Sequence, residues 1–378
     1  MAGRGALLQA ESVKTFPNDG ASRARVLPVT SHLLAEALSR AARPKFLLLL
    51  LGARSLIQQT ADRLAGLAPP DQTLIVCGPA HAPGIARQLP GVPETNLVVE
   101  PQPRGSGPAI SLAAALIARR DPDTIMGSFA ADHEVGDQPA FSDAVRTAIE
   151  AARSDWLVTI GLTPSRPETG YGYIERTDER VVATAHGDAY RSARFVEKPD
   201  LVRATAYVES GRFVWNASMF IWRVQTFLEE LARLQPDVYD GVSRIAAAWG
   251  TPQQERLTAE AWAKLPESTI DQGVMEHAER VAVVPAEMAW SDVGDWHGLG
   301  ELIGQDDLGN SAGCDLVSAG SSGNVVWSET GRVIALVGIE DVVVVDTPDA
   351  LLVADRTKAQ DVRYVVAMLK ERARTSLV

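Results

Sequence analysis

Short apolar runs recur along the chain, and stretches with helical spacing stand between them. Val26-Leu27-Pro28-Val29 can open a strand, and residues 31–40 read as a short helix on propensity. Residues 55–67 place Leu56, Ala61, Leu64 and Leu67 on one side of a helix. Residues 73–77, 124–129 and 157–161 read as buried strands, with helices over 108–119 and 139–153. Strands alternating with helices of about 12 residues predict βαβ units and an α/β domain whose sheet is parallel and covered on both faces. In such sheets ligands bind beyond the carboxyl ends of the strands.

The texture changes after residue 310. Val325-Val326-Trp327 and the runs 333–337, 342–346 and 351–354 are β-branched, separated by Gly, Asp and Pro. A helix follows over 357–370. The pattern predicts a small β-rich C-terminal domain closed by one helix. The expected layout is a loose tail over 1–25, where no period is evident, a catalytic domain over 26–305 and the β-rich domain over 306–378.

Composition narrows the class. The chain has 378 residues, too many for one ordinary core, with 46% hydrophobic and 22% charged residues. A net charge of −12 argues against a nucleic-acid partner, so any phosphate ligand needs local basic groups. The two cysteines, Cys77 and Cys314, make no disulfide framework and point to a reduced cytoplasmic setting. No apolar stretch approaches the roughly 20 residues of a membrane span, and residues 1–10 do not read as a secretion signal.

Several polar groups stand where ligands are expected. Asp132 follows the strand over 124–129 and is either a ligand of a hard divalent cation or a turn and cap residue. Asp292 lies in Trp290-Ser291-Asp292-Val293-Gly294-Asp295-Trp296, a second metal ligand or part of a packed structural turn. Glu168-Thr169-Gly170-Tyr171-Gly172-Tyr173 lets a ligand approach the backbone, or serves as a hairpin turn. Glu197 and Lys198, in Phe195-Val196-Glu197-Lys198-Pro199, can bind a hydroxyl pair and a phosphate, or be a solvated strand end. Asn216, alone in an apolar run, must find partners in the backbone or in sugar hydroxyls.

In order and context these motifs resemble the bacterial mannose-1-phosphate guanylyltransferases of the nucleotidylyltransferase superfamily. The resemblance also rests on Glu100-Pro101 with Arg104 and Pro108-Ala109, on Ser268 with Ile270-Asp271 and Val274-Met275-Glu276, on Gly309-Asn310, and on Val343-Val344-Val345. It implies a Rossmann-like catalytic domain with a mixed, mainly parallel sheet, a left-handed β-helix-like C-terminal region, and the conversion of GTP and mannose 1-phosphate to GDP-mannose and pyrophosphate. It implies Asp132 and Asp292 as Mg²⁺ ligands, Glu197 and Asn216 as mannose-hydroxyl contacts, and Lys198 as the contact to the sugar phosphate. Gly170 resembles the backbone wall of the sugar site, and Asp271 a supporting acceptor. Glu100, Arg104 and Tyr171 are further substrate contacts by the same resemblance. A homodimer is allowed, but oligomeric state is not readable. Glucose-1-phosphate and thymidylyl relatives share the scaffold.

The chain departs from the family where a glycine-rich loop should wrap the triphosphate. Leu38-Ser39-Arg40 and Pro44-Lys45 are present, but residues 30–37, Thr-Ser-His-Leu-Leu-Ala-Glu-Ala, contain neither glycine nor arginine. Three readings stay open: an enzyme in which Lys45 and Arg40 carry the phosphates, a non-catalytic relative that binds sugar nucleotide as a sensor or subunit, and an altered reading frame upstream of Leu38. Milder departures are Arg104-Gly105-Ser106 for Arg-Asn-Thr, and Ser218 where a glycine is usual.

Overall fold

The computed structural model describes residues 12–15, 25–27, 44–294 and 296–372. The expected helix over 31–40, the altered segment 30–37 and Arg40 lie outside the described residues. In chain order the strands of the first two thirds are β1 Ser12–Thr15, β2 Arg25–Leu27, β3 Leu74–Cys77, β4 Leu97–Val99, β5 Ile125–Phe129 and β6 Glu134–Val135. There follow β7 Leu157–Leu162, β8 Tyr173–Thr184, β9 Gly187–Val196, β10 Phe213–Arg223, β11 Val281–Ala286 and β12 Trp290–Ser291. The helices among them are α1 Leu56–Ala65, α2 Ala82–Gln88, α3 Ser106–Ala118, α4 Gln138–Ala152, α5 Leu201–Ser210, α6 Val224–Leu234, α7 Pro236–Ala248 and α8 Gln254–Trp262. The predicted helices over 55–67, 108–119 and 139–153 are thus α1, α3 and α4, and the predicted strands over 73–77, 124–129 and 157–161 are β3, β5 and β7.

The chain divides into two compact units. Among the described residues, the first holds 12–15, 25–27, 60–131 and 135–290, and the second holds 44–59, 132–134, 291–294 and 296–372.

The first unit is built on one mixed sheet of order β4-β3-β1-β2-β5-β10-β7-β11-β9-β8. Parallel pairs are β3 with β4, β2 with β5, and β7 with β11. Strand β10 runs antiparallel between β5 and β7. Its side chains supply both faces of the sheet. Phe213, Trp215, Ala217, Met219 and Ile221 enter one hydrophobic cluster, while Val214, Phe220 and Trp222 enter the other. Alternation of this kind follows from the two-residue period of a strand. The second cluster also takes Ile110 of α3, Phe227 of α6, Val242 of α7 and Trp262 of α8. The first takes Phe141, Val145, Ala148 and Ile149 of α4. Each fully buried aromatic or aliphatic side chain contributes roughly 1.5–3 kcal/mol.

Local chemistry sets the helix ends. Asp137 caps α4 by accepting from Ala140 N at 2.9 Å, and Asp200 caps α5 by accepting from Arg203 N at 2.9 Å. Gly211, at φ 65°, ends α5 in the left-handed conformation that favours glycine.

The second unit carries α9 Trp296–Leu302 and the strands β13 Ser311–Gly313, β14 Leu316–Ala319, β15 Val325–Ser328, β16 Ile334–Val337, β17 Val342–Asp346 and β18 Leu351–Asp355. Strands β13, β15 and β17 stack in parallel register, and β14 pairs in parallel with β16. Successive coils of chain therefore add strands to two sheets, a β-helix-like arrangement. Its corners are stacked asparagines. Asn324 Nδ2 donates to Asn310 Oδ1 at 2.8 Å and to Ile339 O at 3.0 Å, and Asn310 Nδ2 donates to Ser321 O at 3.0 Å. The closing helix α10, Val362–Glu371, starts later than the 357–370 pattern predicts, because Arg356–Asp361 winds as a 3₁₀ turn. Asp355 accepts from Thr357 N at 2.8 Å at the head of that turn.

Gly161 marks a tight point of the sheet. A Cβ there would lie 2.7 Å from Val283 Cγ2, and closer still to Val214. We expect Gly161→Ala to cost about 1–3 kcal/mol through overpacking. The check is the thermal midpoint of the variant, and an unchanged midpoint would show that the strands yield freely.

Candidate active site

Four segments of the first unit bring polar groups together. The chain enters β8 through Thr169 to Gly172, so the Gly-Tyr-Gly run leads into a strand and is not itself a hairpin turn. Strand β9 ends at Val196, with Glu197 and Lys198 immediately beyond. Strand β10 carries Asn216 at a register shift that ends at Phe220. The fourth segment, Asp271–Met275, is a π-helical turn, a rare conformation that is frequent at functional sites.

Asn216 is the hub. Its Oδ1 accepts from Thr159 Oγ1 at 2.9 Å and from Ser218 N at 3.1 Å. Its Nδ2 donates to Asp271 Oδ1 at 2.7 Å and to Ser218 Oγ at 3.4 Å. The amide's capacity is thus used within the protein, and its orientation is set on both sides. Asn216 N also donates to Gly172 O at 2.8 Å, tying β10 to the head of β8. A side chain on Gly172 would lie 2.6 Å from Glu197 Oε2, so only glycine leaves the Glu197 carboxylate its place.

Glu197 is held at both ends. Its N–H donates to Glu276 Oε1 at 2.8 Å, and its Oε1 pairs with Lys198 Nζ at 2.9 Å. Lys198 is half exposed and adopts φ 46°, while Ser218 adopts φ 52°. Left-handed backbone at non-glycine residues costs of order 1 kcal/mol or more and tends to gather at functional sites. Ser218 thus occupies a conformation for which the usual glycine is suited. Asp271 is of intermediate exposure as a whole residue, yet its carboxyl is desolvated. That carboxyl is raised to about 7, first by burial and then by the charge of Glu197.

Around this cluster, Tyr171 packs edge-on against Trp215 at 5.2 Å and Trp290 at 5.5 Å. The Gly170 N–H donates to Glu168 Oε1 at 3.0 Å. Glu100 stands at the carboxyl end of β4, its N–H donating to Cys77 O at 2.9 Å. The residue is 7% exposed, and its Oε2 has no hydrogen-bond partner among the described residues. Burial pushes its carboxyl up to about 8. Arg104 donates from Nη2 to Ala263 O at 2.9 Å, and its own carbonyl accepts from Ser268 N at 3.1 Å. Gly105, at φ 82°, lies so close to the Ser268 backbone that any Cβ would collide, which accounts for the glycine in Arg104-Gly105-Ser106.

The second unit holds a separate group. Lys45, in the 3₁₀ turn Lys45–Leu47, is 2% exposed. Its Nζ pairs with Asp132 Oδ2 at 2.9 Å and donates to Asp292 O at 2.6 Å and Val293 O at 3.2 Å. Val293, a β-branched residue, sits at φ 48°, an outlying conformation for such a side chain. Its side chain is fully buried in a cluster with Leu50, Trp296, Leu299 and Val325. Asp132 and Asp292 both belong to this unit, with Arg40 outside the described residues.

Two participants carry no role that the sequence announces. Glu276 stands in Val274-Met275-Glu276 without any hint that it fixes the backbone of Glu197. Glu168 occupies the Gly170 amide. The signal available for both is an acidic residue within a few positions of a motif glycine or aspartate, which is too common to be decisive.

Comparison with known proteins adds three findings. A nucleotidyl transferase family model matches residues 36–307, and a MannoseP isomerase/GMP-like beta-helix domain model matches residues 315–369. Mannose-1-phosphate guanylyltransferase of Escherichia coli is 38% identical over 341 residues, covering 89% of this chain and 72% of the relative. Its counterpart in Salmonella typhimurium strain LT2 is 40% identical, covering 89% and 71%. A crystal structure from Thermus thermophilus, named as a mannose-1-phosphate geranyltransferase, superposes with a TM-score of 0.76 at 33% identity, covering 89% of this chain and 96% of that one.

The two raised carboxyls make stability depend on pH. Both native values lie above the ordinary values of 3.8 and 4.5, so between roughly pH 4 and pH 8 the native state holds more protons than the unfolded chain. The stabilising contribution is complete below the ordinary values and is lost as pH rises through about 7 for Asp271 and about 8 for Glu100. Urea unfolding at pH 5.5 and pH 8.5 should show lower stability at the higher pH, by about a kcal/mol or more. Glu100→Gln should flatten that difference. Equal slopes in the variant and the parent would contradict the assignment to Glu100.

Proposed function

The chain belongs to the nucleotidyl transferase family, in the branch of the mannose-1-phosphate guanylyltransferases, and from that premise we propose that it makes GDP-mannose and pyrophosphate from GTP and mannose 1-phosphate. The observation that carries this reading is the cluster of Gly172, Glu197, Asn216 and Asp271. It presents carboxylate oxygens beside a backbone that only glycine keeps open, which is chemistry suited to sugar hydroxyls.

In the reaction, a phosphate oxygen of the sugar phosphate attacks the α-phosphorus of GTP. An oxygen–phosphorus bond forms, and the bond from the α-phosphorus to the bridging oxygen breaks as pyrophosphate leaves. No protein nucleophile is required, so rate must come from positioning and charge stabilisation. Glu197 accepts from hydroxyls of the mannose ring. Lys198, half exposed beside it, turns to the sugar phosphate. Asp271 and Asn216 hold the wall of the sugar site, with Gly170 and Tyr171 at its entrance. Glu100, whose buried Oε2 has no partner among the described residues, is suited to accept from the N1–H and exocyclic amine of guanine. Arg104 braces that region through the Ala263 carbonyl. Lys45 and Arg40 are the cations for the triphosphate.

Asp132 and Asp292 fit a hard divalent cation. Among the described residues no group of three or more His, Cys, Asp or Glu forms a full protein cage. Two carboxylates with phosphate and water oxygens are what Mg²⁺ commonly uses. When bound, Mg²⁺ would neutralise charge on the α-phosphate.

Residues 30–37 lower the expected rate, since backbone amides wrap a triphosphate best from glycines and none is present. The same observation favours a second reading, a non-catalytic binder of the sugar nucleotide. Among the described residues no helix is long and apolar enough to cross a membrane. Cys77 and Cys314 are joined by no disulfide, which suits the reducing cytoplasmic setting proposed here. A homodimer is the assembly proposed.

A coupled assay of pyrophosphate release with GTP and mannose 1-phosphate decides between the readings. We expect turnover that is measurable but below about 1 per second, the lower edge of the usual range. Glu197→Gln should raise the KM for mannose 1-phosphate roughly tenfold, with the KM for GTP nearly unchanged. Tight GDP-mannose binding without any pyrophosphate release would favour the binder. A faster reaction with glucose 1-phosphate would overturn the sugar assignment.

A further inference from the structure

Lys45 is a buried cation whose donors are all engaged. An ammonium group has three N–H donors. Lys45 has three oxygens around its nitrogen, at 2.9 Å from Asp132, 2.6 Å from the Asp292 carbonyl and 3.2 Å from the Val293 carbonyl. No donor is left over for a phosphate. A lysine in this state cannot also carry the triphosphate without first leaving its cradle.

The cradle itself is built at a cost. The Val293 carbonyl reaches Lys45 from a residue held at φ 48°. Such a conformation persists only where the surroundings over-determine it, and here the valine side chain is locked in the core with Trp296 and Leu299. The strain serves to aim a carbonyl at a cation. Parting a buried ion pair is also expensive when one charge is left without compensation. Lys45 can therefore leave Asp132 readily only if another cation takes its place on the carboxylate.

We infer that Lys45 is a resident cation of the Asp132 carboxylate, competing with the catalytic divalent cation for the same oxygen, so that metal loading frees its ammonium for phosphate. The inference rests on the reading of Asp132 and Asp292 as the cation-holding pair. It couples two steps that would otherwise be independent. The lysine becomes available only after the carboxylate has been satisfied by the metal, which keeps Asp132 compensated throughout and withholds a phosphate-binding charge until the metal is in place.

Two measurements on the full chain test this, with Mn²⁺ as the probe. Titration of Mn²⁺ followed by the paramagnetic resonance of the free ion gives its affinity for the parent, Lys45→Met and Asp292→Asn. Competition predicts that Lys45→Met lowers the Kd for Mn²⁺ roughly tenfold, a typical coupling between two ligands of one site. An unchanged or raised Kd overturns the inference. The second measurement needs no variant. Acylation of the parent protein, read by mass spectrometry, should label Lys45 slowly alone and several-fold faster with saturating Mn²⁺, relative to the exposed Lys198. Equal labelling of Lys45 with and without Mn²⁺ also overturns it. Mn²⁺ uptake that is abolished by Asp292→Asn yet indifferent to Lys45 sinks this inference alone. Failure of the parent to bind Mn²⁺ sinks it together with the metal-pair reading.

Discussion

A carboxylate taken out of water must be given a counter-charge, a hydrogen-bond donor or a proton, and much of this chain's functional architecture follows from that demand. Three carboxyls meet it in three ways. Asp132 is paired with the buried ammonium of Lys45. Asp271 takes a hydrogen bond from the Asn216 amide and holds its proton to near neutral pH. Glu100 has one oxygen without a partner among the described residues, and its carboxyl stays protonated higher still. Desolvation is the largest cause in both raised cases. An isolated charge in such a place would cost several kcal/mol, so the neutral form prevails until a ligand arrives.

These solutions dictate the surrounding backbone. To point its amide nitrogen at Asp271, Asn216 needs its oxygen held, and Thr159 and Ser218 hold it. Ser218 reaches back from a left-handed conformation, and the ladder between β10 and β7 shifts register over the same residues. Glu197 can lie beside the backbone only because residue 172 is glycine. Of the left-handed non-glycine residues, Lys198, Ser218 and Val293 fall within the motifs, close to groups proposed to bind substrate or metal, while Asp155, Ala289 and Asp341 do not. The energy for these local costs comes from the two cores of the sheet and from the stacked coils of the C-terminal region, where the sequence is most regular.

That regularity also explains what is legible in the sequence alone. Helices α1, α3 and α4 and strands β3, β5 and β7 announce themselves because their apolar spacing matches one period over enough residues. The α/β class and the β-rich C-terminal region follow from the same spacing, whereas the antiparallel run of β10 between β5 and β7 does not. The long pair β8 and β9 is not legible, because its exposed positions, among them Asp178, Glu179 and Arg180, give no strand-like alternation. The apolar pattern over 357–370 places the start of α10 too early because Asp355 caps a 3₁₀ turn first, a distinction that composition does not carry. Most site residues can be named from motif order, but their contacts cannot. Nothing around Asn216 in sequence says that its amide is saturated by Thr159, Ser218 and Asp271, each distant or differently placed along the chain. Glu276 acts through the backbone N–H of Glu197, a contact across 79 positions. Long-range pairing of this kind has no local signature.

Burial, uncompensated by a protein cation strong enough to offset it, keeps Asp271 and Glu100 protonated near neutral pH in the ligand-free protein, and a ligand that donates hydrogen bonds to them must offset the cost of ionising them. The most direct test is a pH titration of side-chain carboxyl ¹³C resonances in the ligand-free protein, assigned with Asp271→Asn and Glu100→Gln. One carboxyl is predicted to titrate near 7 and to disappear in the first variant, and another near 8 and to disappear in the second. Titration of both in the ordinary carboxylate range around 4 would contradict it.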